Sequence, residues 1–152
     1  MEDIEIAKEL TIGMLSRMGL KTEVEGFFKE ESLFLEIKGD QEGILIGKDG
    51  HTLEALQMLI NRMVNKQLKT SRRIIIDIDD YRKRRADTVS NIAQRLGEKA
   101  KRTGQSQTIG PFNAHERRII HLTVKEDPSI KTESLGEGDL KKIRIIPIKK
   151  EG

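Results

Sequence analysis

Two glycines separated by two residues, Gly47 and Gly50, enclose Lys48 and Asp49. A backbone without side chains at both positions can turn sharply and let another chain approach closely. If a helix follows, its leading amides face the loop and favour an anion. Lys48 adds a mobile positive charge, and Asp49 works against it. Contact with a sugar–phosphate chain is the chemistry that suits such a loop. A plain connection between two helices also explains two glycines. A nucleotide P-loop is excluded. It needs G-x-x-x-x-G-K-[ST] after a buried strand, whereas Gly47-Lys48 is followed here by Asp49, with Gly43 four positions earlier.

A second constellation lies further on. Arg117 and His121 are four residues apart, so in a helix they project from one face, one turn apart. Arg117 can grip a phosphate with two parallel hydrogen bonds or stack on a base. His121 offers a donor and an acceptor when neutral and a charge when protonated. Arg118 and His115 stand on a neighbouring face. The same spacing also fits a solvated helix face with one intrahelical contact. A third basic feature is the run Arg82-Lys83-Arg84-Arg85, in the first turn of an expected helix. Cations are disfavoured there. A binding role would account for them, as would solvation or pairing with Asp77, Asp79 or Asp80.

No catalytic constellation emerges. His51, His115 and His121 lack metal-ligand spacing, and no G-x-S-x-G nucleophile motif occurs. Asp77, Asp79 and Asp80 stand where a metal-dependent nuclease could keep carboxylates, but helix capping and ion pairing account for them as well. We expect a non-enzymatic chain with no metal, no cofactor and no small-molecule substrate.

The elements that must position these residues follow from hydrophobic periodicity. Ile4, Ile6, Ala7, Leu10, Met14 and Met18 mark an amphipathic helix ending at Gly19. Strands are expected over 21–28 and 32–38, joined as a hairpin through Lys29-Glu30-Glu31. A short apolar segment from Gln41 to Ile46 reads as a turn or two of helix. A longer helix runs from His51 to about Lys66 on Leu53, Leu56, Leu59, Ile60, Met63 and Val64. A strand over 72–79 completes an α-β-β-α-α-β order. A long helix is expected from about Asp80, which could cap it, to Arg102, with Tyr81, Val89, Ile92, Ala93, Leu96 and Ala100 as its apolar stripe. Gln105 to Gly110 could form a strand. Asn113 and Glu116 make a capping-box pattern that starts a helix at Ala114. Strands over 130–135 and 141–148 are joined by Gly136-Glu137-Gly138. We expect α+β domains spanning 1–79 and 80–152, with no flexible linker between them.

Composition agrees with a nucleic-acid binder. The net charge of +3 hides an asymmetry: residues 1–79 hold 11 Lys/Arg against 15 Asp/Glu, and residues 80–152 hold 17 against 10. A basic half suits phosphates, although ordinary solvated surface can look the same. There is no cysteine, so disulfides and thiolate metal sites are excluded. No apolar run reaches membrane-spanning length, and the acidic N-terminus is unlike a signal peptide. We expect a soluble cytoplasmic protein without membrane insertion.

The run from Gly43 to Gly50, then Thr52-Leu53-Glu54-Ala55-Leu56-Gln57, within that element order, resembles a KH domain of type II topology. The resemblance implies a three-stranded sheet backed by helices and a GxxG loop that clamps about four nucleotides of a single strand. It also implies a groove for bases, with Ile44, Leu45 and Ile46 as candidate lining residues, although a core position suits at least two of them. Aromatic residues make up 3% of the chain, which fits this mode better than base stacking on aromatic rings. Pro111 to His121 is similar to the hallmark of the domain named for its Arg-x-x-x-His motif. Thr132 to Gly138 with a basic strand matches its hairpin, and Tyr81 to Arg85 the start of its long helix. That domain is associated with single-stranded nucleic acid. The two in this order resemble the bacterial Jag (SpoIIIJ-associated) family over residues 4 to 148. Many members carry a further small N-terminal domain and a charged linker. This chain is expected to lack both, so no membrane-proximal targeting is carried over. His115 also stands where the family often has an aromatic residue.

The expectation is therefore sequence-tolerant binding of single-stranded RNA, or single-stranded DNA, by two cooperating domains. Gly47 and Gly50 allow close approach within the loop that also holds Lys48 and Asp49. Lys48, Arg117 and His121 contact phosphate or base, and Arg82, Arg84 and Arg118 widen the positive field. A role in bacterial RNA metabolism or post-transcriptional regulation is implied by resemblance only. The alternative is a protein-interaction module. In it the first domain pairs with itself or with a second KH protein, and only the basic domain touches nucleic acid.

Overall fold

The computed structural model describes residues 2–40 and 43–149. The chain divides into two compact units, Met1–Arg82 and Lys83–Gly152. The first contains α1 (Glu2–Arg17), β1 (Glu23–Lys29), β2 (Ser32–Lys38), a 3-10 turn (Lys48–Gly50), α2 (His51–Leu68) and β3 (Ile74–Ile78). The hairpin of β1 and β2 is antiparallel with Lys29 opposite Ser32, and β3 joins β2 in parallel with Leu33 opposite Ile74. The sheet order is β1-β2-β3. Strand alternation gives it one apolar face, from Val24, Leu33, Leu35, Ile37, Ile74, Ile76 and Ile78, all buried. Helices α1 and α2 cover that face with Ala7, Leu15, Leu53, Leu56, Ile60 and Val64. On the opposite face Phe27 and Phe34 stack in parallel, with ring centroids 5.3 Å apart.

Helix phase differs from expectation at two places. The buried stripe of α1 is Ala7, Thr11 and Leu15, while Met18 is exposed. Thr11 is accommodated because its hydroxyl donates to Ala7 O at 2.8 Å, within its own helix. In α2 Leu59 is exposed although Leu56 and Ile60 are buried. The expected short helix from Gln41 begins outside the described residues. Its described part is a single turn, closed where Gly47 N–H donates to Gly43 O at 3.0 Å.

The second unit is built on α3 (Tyr81–Thr103), whose first two residues cluster with the first unit. It continues with β4 (Gln107–Phe112), α4 (Ala114–Val124), β5 (Ile130–Leu135) and β6 (Lys141–Pro147). The sheet is antiparallel with β6 central, in the order β4-β6-β5. Val89, Ala93 and Ala100 of α3 meet Phe112, Ile120, Val124, Ile130, Ile143 and Ile145 in its core. Tyr81, expected on the stripe of α3, packs instead against the core of the first unit. Asp80 was the expected cap of α3, but the carboxylate that receives a helix-start amide is that of Asp77, from Arg82 N–H at 3.2 Å.

Helix α4 starts with both halves of the capping box. Glu116 N–H donates to Asn113 Oδ1 at 2.8 Å, and Asn113 N–H donates to Glu116 Oε1 at 3.2 Å. Glu116 is 7% exposed and pairs with Arg85, whose Nε lies 2.6 Å from Glu116 Oε2. One residue of the basic run is thus spent inside the fold, with its guanidinium 6.0 Å from the centre of the Phe112 ring. At the far end of α3, Lys101 donates to Asp127 at 2.8 Å. That hydrogen bond holds the Asp127 carboxyl below its ordinary range, and Asp127, then Glu98, raise Lys101.

Removing one partner of a buried ion pair leaves an uncompensated charge. Glu116→Ala removes the pair and the capping box together. It should destabilise the second unit by about 3–5 kcal/mol in urea unfolding. A loss below about 1 kcal/mol would mean that this pair behaves as a solvated surface contact.

Candidate nucleic-acid interface

The loop between the turn at Gly43–Gly47 and α2 has a backbone that few sequences can adopt. Gly47 has φ 71 and ψ −175, a region open essentially to glycine alone. Asp49 follows at φ 53 and Gly50 at φ 80, both left-handed. Space imposes the same choice. A Cβ on Gly47 would run into the Thr52 side chain, and one on Gly50 would come within 2.7 Å of the Tyr81 ring. Gly50 is therefore structural as well as permissive, so a side chain there disturbs the packing of Tyr81 before it meets any ligand. The N-cap of α2 is Gly50, which has no side chain to offer its first turn, and Lys48 and Asp49 are exposed. Among the described residues the Lys48 ammonium has no ion pair or hydrogen bond.

The three apolar residues before the loop divide. Leu45 is fully buried and Ile46 packs against the core, which makes Ile46 a support for the loop more than a groove wall. Ile44 is 50% exposed and remains available to a ligand.

A feature that sequence reading missed lies along α2. Gln57, Asn61 and Asn65 recur every fourth residue and face the outer edge of β3. Gln57 donates through Nε2 to Ile74 O and accepts at Oε1 from Ile76 N–H at 2.6 Å. Asn61 Oδ1 accepts from Ile74 N–H at 3.3 Å, and Asn65 bonds to both the N–H and C=O of Arg72, at 3.0 and 2.8 Å. An unpaired strand edge is thus closed by side-chain amides of the helix beside it. The available signal was a polar stripe at helical spacing next to the apolar one. Arg82 belongs to the same arrangement. Its Nε donates to Ile76 O at 2.9 Å and its Nη2 lies 3.3 Å from Gln57 Oε1. Both acceptors are neutral, so exposed Arg82 keeps its charge at this edge while its guanidinium is held in place. Arg84 is exposed.

In the second unit, α4 presents Arg117 and His121. Arg117 Nη1 donates to Phe112 O at 2.7 Å and to Asp139 O at 3.2 Å, which ties the link between β5 and β6 to the start of α4. Its Nε and Nη2 have no hydrogen-bond partner among the described residues. His121 Nδ1 lies 3.2 Å from Thr132 Oγ1 on β5. Thr132 was not expected at the site. It fixes the ring and leaves Nε2 without a partner among the described residues. Arg118 and His115 are exposed beside them. At the end of β3 two carboxylates receive backbone amides. Asp77 accepts from Ile78 and Arg82 N–H, and Asp79 from Gly39 and Asp40 N–H. Among the described residues no three His, Cys, Asp or Glu side chains are grouped to hold a metal ion, and no helix is long and apolar enough to cross a membrane.

These two units are a GxxG module followed by an Arg-x-x-x-His module. Comparison with known families agrees with that reading. The profile of the KhpA/KhpB KH domain matches residues 5–76, and that of the R-3-H domain matches residues 87–147. The chain is 39% identical over 134 residues to the RNA-binding protein KhpB of Clostridium symbiosum, covering 88% of this chain and 60% of that one. It is 32% identical over 121 residues to the protein of the same name from Bacillus subtilis, with 78% and 58% covered. To that of Lactiplantibacillus plantarum it is 27% identical over 139 residues, with 91% and 43% covered. The chain belongs with the Jag-like proteins that join a KH domain to an R-3-H domain. It spans three fifths or less of the length of these relatives.

The amide row makes a local prediction. Gln57→Ala removes the acceptor of Ile76 N–H, so hydrogen exchange at Ile76 should accelerate by about tenfold or more. Ile75, whose backbone faces β2, should keep its protection. Unchanged exchange at Ile76 would show that the edge is closed by something other than Gln57.

Proposed function

We propose that the chain binds single-stranded RNA in the cytoplasm without catalysing a reaction, and that both units take part. The observation that carries this reading is the Gly47–Gly50 loop. Its backbone is bare at both glycines, left-handed at Asp49 and Gly50, followed directly by the first turn of α2 and furnished with the exposed Lys48. A strand laid across it would place phosphate against backbone amides and Lys48. The second contact is the α4 face, where the free nitrogens of Arg117 and the Nε2 of His121 point to phosphate or base recognition, with Arg118 adding charge. The names of the relatives support RNA as the ligand. Sequence tolerance follows from contacts made mostly to the sugar–phosphate chain. The same contacts would accept single-stranded DNA. A regulatory role in bacterial RNA metabolism fits this activity.

A second reading rests on a separate surface. Met58 and Leu59 of α2 are 56% and 55% exposed, and Leu10, Met14, Met18 and Met63 line a hollow between α1 and α2. Such an apolar surface suits pairing of the first unit with a second copy or another KH protein.

Fluorescence anisotropy with labelled oligouridine and oligodeoxythymidine over a salt series tests both readings. Binding should weaken linearly on a log–log plot, and Lys48→Asp and Arg117→Ala/His121→Ala should each weaken it several-fold. Binding that only the Arg117/His121 variant reduces, with light scattering giving a dimer, would favour the second reading. A folded protein that does not bind at low salt would sink the nucleic-acid reading.

A further inference from the structure

Two carboxylates hold the turn that leads into the glycine loop. Asp79, which ends β3, accepts from Gly39 N–H at 3.3 Å and from Asp40 N–H at 3.2 Å. Asp79 N–H in turn donates to Ile37 O at 3.0 Å. Asp40, 9% exposed, directs its own carboxylate at the next turn. Leu45 N–H lies 3.1 Å from both of its oxygens, and Ile46 N–H lies 3.1 Å from Oδ2. Ile46 immediately precedes Gly47, and its carbonyl accepts from Leu53 N–H of α2 at 3.2 Å. A continuous run of hydrogen bonds therefore leads from the end of β3 through the end of β2 to the loop. Its central link is a charged acceptor on backbone donors, which is shorter and stronger than a neutral one.

We infer that Asp40, held from behind by Asp79, is a positioning residue for nucleic-acid binding: it fixes the Gly43–Gly47 turn and so the height and angle at which the Gly47–Gly50 backbone meets a strand. The inference rests on the reading of that loop as the nucleic-acid contact. It concerns residues that touch no nucleic acid, and its sign runs against simple electrostatics. A carboxylate near a phosphate site repels the ligand, so removing its charge should raise affinity if the field were all that mattered. A positioning role requires the reverse. In Asp40→Asn an amide nitrogen, which can only donate, replaces one of the oxygens that receive Leu45 and Ile46 N–H. The turn then loses its anchor while the overall charge becomes more favourable to RNA.

The test is anisotropy titration of the full chain with labelled oligouridine, using Asp40→Asn, Asp79→Asn, Lys48→Ala and the double variant Asp40→Asn/Lys48→Ala. Hydrogen exchange at β2 establishes that each variant is folded. Asp40→Asn should bind about five- to tenfold more weakly with an unchanged salt slope, because no phosphate contact is removed directly. Combined with Lys48→Ala its effect should be less than additive, since a displaced loop no longer presents Lys48. Asp79 is exposed, so Asp79→Asn should fold even if Asp40→Asn does not, and it should weaken binding in the same direction by a smaller factor. Equal or tighter binding by the folded variants overturns the inference, as does full additivity with Lys48→Ala. A wild-type chain that does not bind, or that is indifferent to Lys48→Ala, overturns the reading of the loop instead.

Discussion

The first unit depends on a conflict between backbone geometry and side-chain volume at Gly47 and Gly50. The chain must leave a turn anchored by buried Leu45, reverse through left-handed conformations and enter α2 within four residues. Only glycine fits at both ends, because Thr52 and Tyr81 occupy the space that a Cβ would need. The bareness that the proposed contact with a sugar–phosphate chain requires is therefore also demanded by the loop's own packing. Everything around it serves to hold that shape: Leu45 in the core, the Asp40 carboxylate on the turn, and the Tyr81 ring beneath Gly50.

The second unit solves a related problem with charge. Helix α4 must present Arg117 and His121 while its first turn is anchored. Glu116 does the anchoring, through the capping box on one side and Arg85 on the other. Arg117 divides its guanidinium between two backbone carbonyls and an open side, and His121 takes its orientation from Thr132. Arg117 and His121 thus each have one part tied to the fold and another without a partner among the described residues. That arrangement limits the rotamer entropy lost on binding.

Much of this was legible in the sequence because it is local. The periodicity of Leu53, Leu56, Ile60 and Val64, the alternation in β2 and the Asn113–Glu116 capping pattern are written over short stretches of chain. What was not legible depends on long-range pairs. Asp79 reaches Gly39 and Asp40 across about forty positions, and Arg85 reaches Glu116 across 31. No local pattern separates these charges from the solvated ones beside them. Arg82 and Arg85 therefore read alike as members of one basic run, although Arg85 pairs with Glu116 and Arg82 bonds to neutral acceptors at the β3 edge. The Gln57, Asn61 and Asn65 row is an intermediate case. Its spacing was visible, but its purpose depends on β3 being an edge strand, which only the sheet order reveals.

The central claim is that the Gly47–Gly50 loop meets nucleic acid with its backbone. Amide chemical-shift mapping of the nitrogen-labelled chain with oligouridine tests it most directly. Shifts concentrated on Gly47 to Thr52 of the first unit and on α4 near Arg117 and His121 of the second are the predicted result. Saturable binding that leaves the amides of Gly47 to Thr52 unmoved would contradict it.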